Sequence, residues 1–227
     1  YSVIQLITMT RMLSSFSLPL MVGNVFQQMY TVVDTAVVGK ALGVGALAAL
    51  GASDWLNWMM LGVIQGLTQG FGIMMAQDFG SRQMDRLRRT IGASAVLSAI
   101  GALVLLAVGQ VAIAPILRLL QTPDAIQGDT VLYLRIMFGG VPVVMAYNLF
   151  AGMIRSLGDS KTPLYAMMVA SCVNIGLDLL FVLVFHWGIA GAAIATGLSQ
   201  LMSFSIYMKH FLSAKSEFSF VKINAGE

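Results

Sequence analysis

Charge punctuates this chain into long apolar stretches. Its Lys, Arg, Asp and Glu residues fall mostly in short clusters, and between the clusters lie apolar runs of about twenty residues or more. At 1.5 Å rise per residue, a helix of about 20 residues crosses a hydrocarbon core of about 30 Å. Six stretches meet that length and are expected to be transmembrane helices: 13–39, 44–76, 90–117, 128–154, 162–185 and 189–208. Short loops join them, so sequence neighbours are antiparallel. The composition agrees, with 58% hydrophobic and 10% charged residues, where a soluble domain carries about 25% charged residues. The expected fold class is an all-α integral membrane protein, a bundle of six transmembrane helices.

Loop charge sets the orientation. With the N-terminus inside, the inner segments hold Arg11, Arg82, Arg86, Arg88, Arg89, Arg155, Lys161, Lys209, Lys215 and Lys222, ten of the 13 basic residues. Cytoplasmic loops carry such an excess, so the N-terminus is expected in the cytoplasm. The net charge of +3 comes from these loops. No basic face survives outside them, which argues against nucleic acid as a partner. Trp55, Trp58 and Trp187 fall near outer helix ends, as lipid-interface anchors do. The single Cys172 excludes an intrachain disulfide. No cleavable signal peptide is expected in residues 1–11, and helix 1 would act as an uncleaved signal anchor. Tyr1 in place of an initiator Met, and the polar run 213–227, read as cut ends.

Ionisable groups inside a span are costly and mark function by default. Four lie well inside the spans: Asp34, Asp54, Arg135 and Asp178. Arg135 can snorkel outward, and Asp54 can reach water from the outer part of a long helix 2. Asp34 lies six residues before Lys40, roughly 9 Å from the outer end. Asp178 lies eight residues before His186, and Thr196 eight past Gly188, each roughly 12 Å deep. Three helices thus bring oxygens to one level in the outer half of the membrane. Asn174 and Asp178 are four apart and share a face, Gln27 sits two turns before Asp34, and Asn148 adds a buried amide on helix 4. Such a set suits a hard monovalent cation, or a proton if burial and mutual repulsion keep a carboxyl neutral. The alternative is a purely structural polar clamp between helices. No enzyme is expected: His186 and His210 lie at opposite membrane faces, and no nucleophile–base pair or metal-ligand cluster appears.

Two places invite bending. Pro19 lies inside helix 1, where proline removes a backbone hydrogen bond. Helix 4 carries Gly139-Gly140-Val141-Pro142. The 16 Met and 12 Phe suit a plastic apolar cavity or, more simply, ordinary core and lipid-facing positions.

The chain resembles the multidrug and toxic compound extrusion (MATE) family of efflux transporters. The matching stretches begin with Leu18-Pro19-Leu20, Met29-Tyr30-Thr31-Val32-Val33-Asp34-Thr35 and Val38-Gly39. Ala76-Gln77-Asp78-Phe79-Gly80-Ser81 and Ile154-Arg155-Ser156-Leu157-Gly158-Asp159-Ser160-Lys161-Thr162-Pro163 follow. Asn174-Ile175-Gly176-Leu177-Asp178 and Gly188-Ile189-Ala190-Gly191-Ala192-Ala193 complete the set. Their order and spacing cover essentially the whole chain. The resemblance implies a two-lobed, twelve-helix antiporter in a bacterial or archaeal inner membrane. It would exchange Na⁺ or H⁺ for drugs or other cationic amphiphiles, with no other cofactor. Residues 1–212 match the N-terminal lobe, residues 213–227 the start of a cytoplasmic inter-lobe linker, and a second six-helix lobe is the expected partner. The resemblance assigns a cation site, for Na⁺ or H⁺, to Asp34, Asn174, Asp178 and Thr196. It assigns a supporting network to Gln27 and Asn148, and helix bending to Pro19.

Two other readings compete. A lipid-linked sugar flippase of the same superfamily would carry an anionic cargo and favour several cavity cations, but Arg135 alone is a candidate. A truncated lobe that does not transport could serve as a scaffold.

Overall fold

The computed structural model describes the backbone of residues 3–224 and the side chains of residues 17 and 21–213. Within them the chain is helical throughout. Helices α1 (Val3–Leu42) and α2 (Val44–Gly80) form a hairpin closed by Gly43. Gly43 has φ 85°, a conformation that costs other residues a clash of Cβ with the backbone. Then come α3 (Met84–Leu119), α4 (Asp124–Gly139), α5 (Val141–Ser156), α6 (Lys161–Asp178) and α7 (Gly188–Asn224). The last turns of the span that starts with α6 are π-helical, over Leu179–Val184.

Four of these helical segments are long and apolar enough to cross a membrane: α2, α3, α6 with its π-helical end, and α7. The pair α4 and α5, bent by 46°, is together long and apolar enough for a fifth. At 40 residues α1 is long enough for the sixth, though Gln27, Gln28 and Asp34 dilute its apolar character. Most helices overrun the expected limits, because the apolar run marks the hydrocarbon core and the helix continues into the polar zones. α7 continues as helix to Asn224, so no break in secondary structure marks the expected boundary after residue 212.

The helix expected over 128–154 is broken in two. The chain bends between Gly139 and Val141, at the weak point the sequence marks. Pro142 has no N–H to give to Phe138, and α5 restarts with that proline in its first turn. Gly140 serves both sides: its N–H donates to Ile136 at 3.0 Å, and its carbonyl accepts from Val144 at 3.0 Å.

Two buried clusters order the bundle. One joins Leu56, Met60 and Ile64 of α2 to Ile113 and Leu117 of α3 and Leu134, Phe138, Val144 and Met145 of α4 and α5. The other joins Val38 of α1, Ala46 and Leu50 of α2, Tyr133 and Met137 of α4, Val182, and Ala192 and Ala193 of α7. The small residues that open α7 let it approach closely. A Cβ on Gly191 would stand 3.1 Å from Phe181 Cβ and 3.3 Å from its backbone, so a larger residue there would push α7 a few tenths of an ångström off the π-helical turn. Large apolar side chains of α3, among them Ile100, Leu103, Val104, Val108 and Val111, point outward, as a surface bathed in lipid requires.

Candidate functional site

Asp178 ends the regular part of α6, immediately before the π-helical turns. Such turns recur at functional sites because the wider turn re-aims side chains. Asp178 is 0% exposed. Neither of its carboxylate oxygens receives a hydrogen bond from the described residues. One turn earlier Asn174 is 1% exposed. Its Nδ2 donates to Thr196 Oγ1 on α7 at 3.4 Å. The threonine hydroxyl in turn donates to Ala192 O at 3.1 Å. The amide carbonyl, Asn174 Oδ1, is buried and has no donor.

Asp34 reaches the same region from α1. It is half-buried, and its Oδ1 is buried without a donor. It lies within electrostatic reach of Asp178. The surrounding apolar cluster contains Val38, Val182 and Ala192, each one helical turn from Asp34, Asp178 and Thr196 respectively. The structure therefore brings the four expected residues into one neighbourhood where α1, α6 and α7 meet.

The chemistry of this neighbourhood is an excess of acceptors. Asp34 Oδ1, Asn174 Oδ1 and both Asp178 oxygens are buried with no donor. A buried polar atom left unpaired costs about 1–3 kcal/mol, and more if charged. A proton shared between the carboxylates, or a small hard cation among the oxygens, removes that cost. The donors are all oxygen. Among the described residues no group of three or more His, Cys, Asp or Glu side chains could hold a metal ion. Two carboxylates, an amide carbonyl and a hydroxyl fit a monovalent cation or a proton.

The other expected residues fall elsewhere. Asn148 is half-buried on α5, and its Nδ2 donates to Val144 O of the same helix at 2.8 Å. That bond uses one of its two N–H groups, and Asn148 gives none to Asp178 or to Asp34 Oδ1. Gln27 is exposed and lies beside the Tyr30 phenol. Pro19 lies outside the residues whose side chains are described. Arg135 is exposed, and its carbonyl accepts a bond of 2.8 Å from Gln110 Nε2. Two tyrosines join the site without having been expected there. Tyr30 lies within electrostatic reach of Asp34, a link that its spacing of four residues could have signalled. Tyr133, on α4, lies within reach of Asp34, Asp54 and Asp178, and nothing in the sequence around it points there.

Known proteins resemble this chain over most of its length. Residues 19–180 match the family model described as MatE. A probable multidrug resistance protein of Bacillus subtilis (strain 168), YoeA, is 31% identical over 216 residues, covering 93% of this chain and 47% of that protein. A crystal structure of MATE in the straight conformation superposes with a TM-score of 0.83 at 26% identity, over 90% of this chain and 45% of the other. One in the bent conformation superposes with a TM-score of 0.81 at 26% identity, over 87% and 44%. The chain spans about half the length of the relatives it matches.

Proposed function

Since the chain belongs to the MATE family of multidrug efflux transporters, we propose that it is the cation-coupling lobe of an antiporter that expels drugs or organic cations. The observation that carries the reading is the donor-poor oxygen set at Asp34, Asn174, Asp178 and Thr196. In outline, a proton or Na⁺ enters from the outer side and joins the carboxylates of α1 and α6. The added charge removes their repulsion and draws the two helices together. α1 rests on α6 further in, where Gly23 meets Met167 and Leu164, so the ion acts on how these helices pack. A ligand shifts such an equilibrium only by its differential affinity for the two states. Here the ion is held better in the state that has released its cargo. The half-length match supports a second six-helix lobe, against which this one rocks about the membrane midplane. The relatives are transporters, not enzymes. Lys and Arg crowd one set of turns, which supports an inner-membrane protein with its N-terminus in the cytoplasm.

The flippase alternative is not favoured, because the relatives include multidrug resistance proteins and Arg135 is the one basic residue inside a span. The test is gradient-driven dye efflux from proteoliposomes that hold the chain with its second lobe. Asp34→Asn and Asp178→Asn are each expected to abolish efflux at normal expression. Undiminished efflux in both variants would refute the coupling role. Imposing ΔpH and ΔNa⁺ separately identifies the coupling ion. An intact lobe pair that expels no dye under either gradient would favour the scaffold reading.

A further inference from the structure

The turn between α2 and α3 gathers three arginines around a shallow depression of about 580 Å³, whose lining includes Arg82, Met84, Asp85, Arg86 and Arg89. One of the three is held from behind. Asp78, buried near the end of α2, accepts the Thr90 hydroxyl of α3 at 2.6 Å on Oδ2 and pairs through Oδ1 with Arg86 Nε at 3.0 Å. That contact leaves the two terminal NH₂ groups of Arg86 for an acceptor outside, and the side chain is 67% exposed. Arg82 and Arg89 have no such anchor. Among the described residues neither forms an ion pair, although Asp85 lies one turn before Arg89. Arg82 also has φ 57°, a left-handed conformation that glycine adopts without strain. The position therefore keeps an arginine at a cost to the backbone.

Most exposed cationic clusters are simply solvated, but the depth of this one gives it a partner. Apart from Met84 in the turn itself, no large apolar side chain between Met74 of α2 and Val96 of α3 is exposed. Those two residues mark the limit of the lipid tails. Arg89 lies seven residues before Val96, roughly 10 Å along the helix. The headgroup layer is about 5–8 Å thick on each face, and arginine lays its stem along apolar surface while its head stays in the polar zone. Three guanidiniums against Asp78 and Asp85 leave one net positive charge, the complement of a single phosphodiester. Guanidinium groups grip phosphate oxygens in pairs. The Gln83 side chain does not cap α3, so the positive end of that helix adds to the same field.

We infer that Arg82, Arg86 and Arg89 form a binding site for the phosphate of an anionic phospholipid, in the leaflet that meets the α2–α3 turn. Asp78 is a positioning residue that aims Arg86, and Met84, exposed among the arginines, adds an apolar contact beside the phosphate. The site shares no residue with the coupling group and does not depend on which cargo or ion the transporter moves.

The test is titration of the purified chain in non-ionic detergent with phosphatidylglycerol, read by native mass spectrometry. Phosphatidylcholine, with the same phosphodiester and a cancelling cation, is the control for charge. Inorganic phosphate, added as a competitor, is the control for the lipid. Phosphatidylglycerol is expected to bind at least about fivefold more tightly than phosphatidylcholine, the worth of one basic residue at an anionic surface. Arg82→Gly and Arg89→Gln are each expected to weaken it about fivefold. Arg88→Gln, which removes the same charge from the other side of α3, is expected to leave it unchanged. Because glycine suits a φ of 57°, Arg82→Gly should melt no lower than the unaltered chain without added lipid, so its loss of binding is not a loss of fold. Equal weakening by Arg88→Gln and Arg89→Gln would reduce the cluster to diffuse surface charge and overturn the site. Equal affinity for the two phospholipids would overturn it as well. Displacement of the lipid by an equal concentration of inorganic phosphate would make this a site for a free anion and overturn the lipid assignment. A lower melting temperature for Arg82→Gly would give that side chain a structural task and likewise overturn it. Each of these outcomes leaves ion coupling at Asp34 and Asp178 untouched.

Discussion

Asn174 on α6 gives its amide N–H to the hydroxyl of Thr196 on α7, and this bond fixes which way the amide faces. The threonine proton is already committed to Ala192 O, so the hydroxyl can only accept from Asn174. The NH₂ group must therefore point to α7, which leaves Oδ1 as an acceptor on the other side of the amide. Thr196→Val removes the acceptor and frees the amide to rotate. With a lost hydrogen bond valued at about 0.5–1.5 kcal/mol, ion affinity is expected to fall roughly threefold to tenfold at near-normal stability. Isothermal titration of Na⁺, or the pH midpoint of gradient-driven efflux, reads the change. An unchanged affinity would mean that the amide does not serve the ion.

The two carboxylates differ in exposure, and their variants should differ as well. Asp178 is fully buried with both oxygens unpaired, whereas Asp34 is half-buried. Asp178→Asn replaces a group that repels its neighbour with a neutral amide of similar size. It is expected to raise thermal stability in detergent at neutral pH, by a few degrees, while removing ion coupling. Asp34→Asn is expected to remove coupling with a smaller change in melting temperature. A lower melting temperature for Asp178→Asn would show that its carboxylate already has stabilising partners.

Much of this was legible in the sequence, because a membrane leaves few options. With no water to satisfy backbone groups, long apolar runs must be helices, and the charge clusters mark their ends. Depth arithmetic then placed Asp34, Asp178 and Thr196 at one level without any contact being known. The π-helical turns after Asp178 had no signal, since Leu179-Leu180-Phe181-Val182 reads as ordinary apolar helix; they lie where Gly191 of α7 comes against Phe181, a tertiary contact that local sequence does not show. Tyr133 was hidden for the same reason: its role depends on which face α4 turns inward after the bend, and the bend was visible only as a weak point. Asn148 shows how a helix competes for such a group: it always offers the carbonyl four residues back, and here Val144 takes one of the amide's two N–H groups.

Gly191 tests the close approach of α7 to the π-helical turns. An added Cβ would press on the Phe181 backbone, which cannot rotate away as a side-chain tip can. Gly191→Val is expected to cost about 1–3 kcal/mol through forced separation of the helices. Because the same packing aligns Thr196 with Asn174, ion affinity should fall along with melting temperature. Gly197, whose added Cβ meets nothing within 4 Å, provides the control: Gly197→Ala should leave both unchanged.

In the turn between α5 and α6, Asp159 holds the start of α6. Its Oδ1 accepts the N–H groups of Lys161 at 2.9 Å and Thr162 at 3.1 Å, while its Oδ2 accepts the Thr162 hydroxyl. His210 of α7 lies 3.3 Å from the same oxygen. Burial pushes the Asp159 carboxyl up, but the Thr162 hydroxyl, the two backbone N–H groups and His210 outweigh it and hold the carboxyl below its usual range. A depressed carboxyl stabilises the fold above its unfolded value, about 3.9, and loses that contribution as pH falls through the lower folded value. Replacing a capping carboxylate costs about 1 kcal/mol. Asp159→Ala is therefore expected to melt a few degrees below the unaltered chain from pH 5 to 7, with the difference closing below about pH 4 as protonation removes the same bonds. Melting curves in detergent across that range provide the measurement. A difference that persisted undiminished at pH 3 would show that packing of the side chain, rather than its charge, anchors α6 to α7.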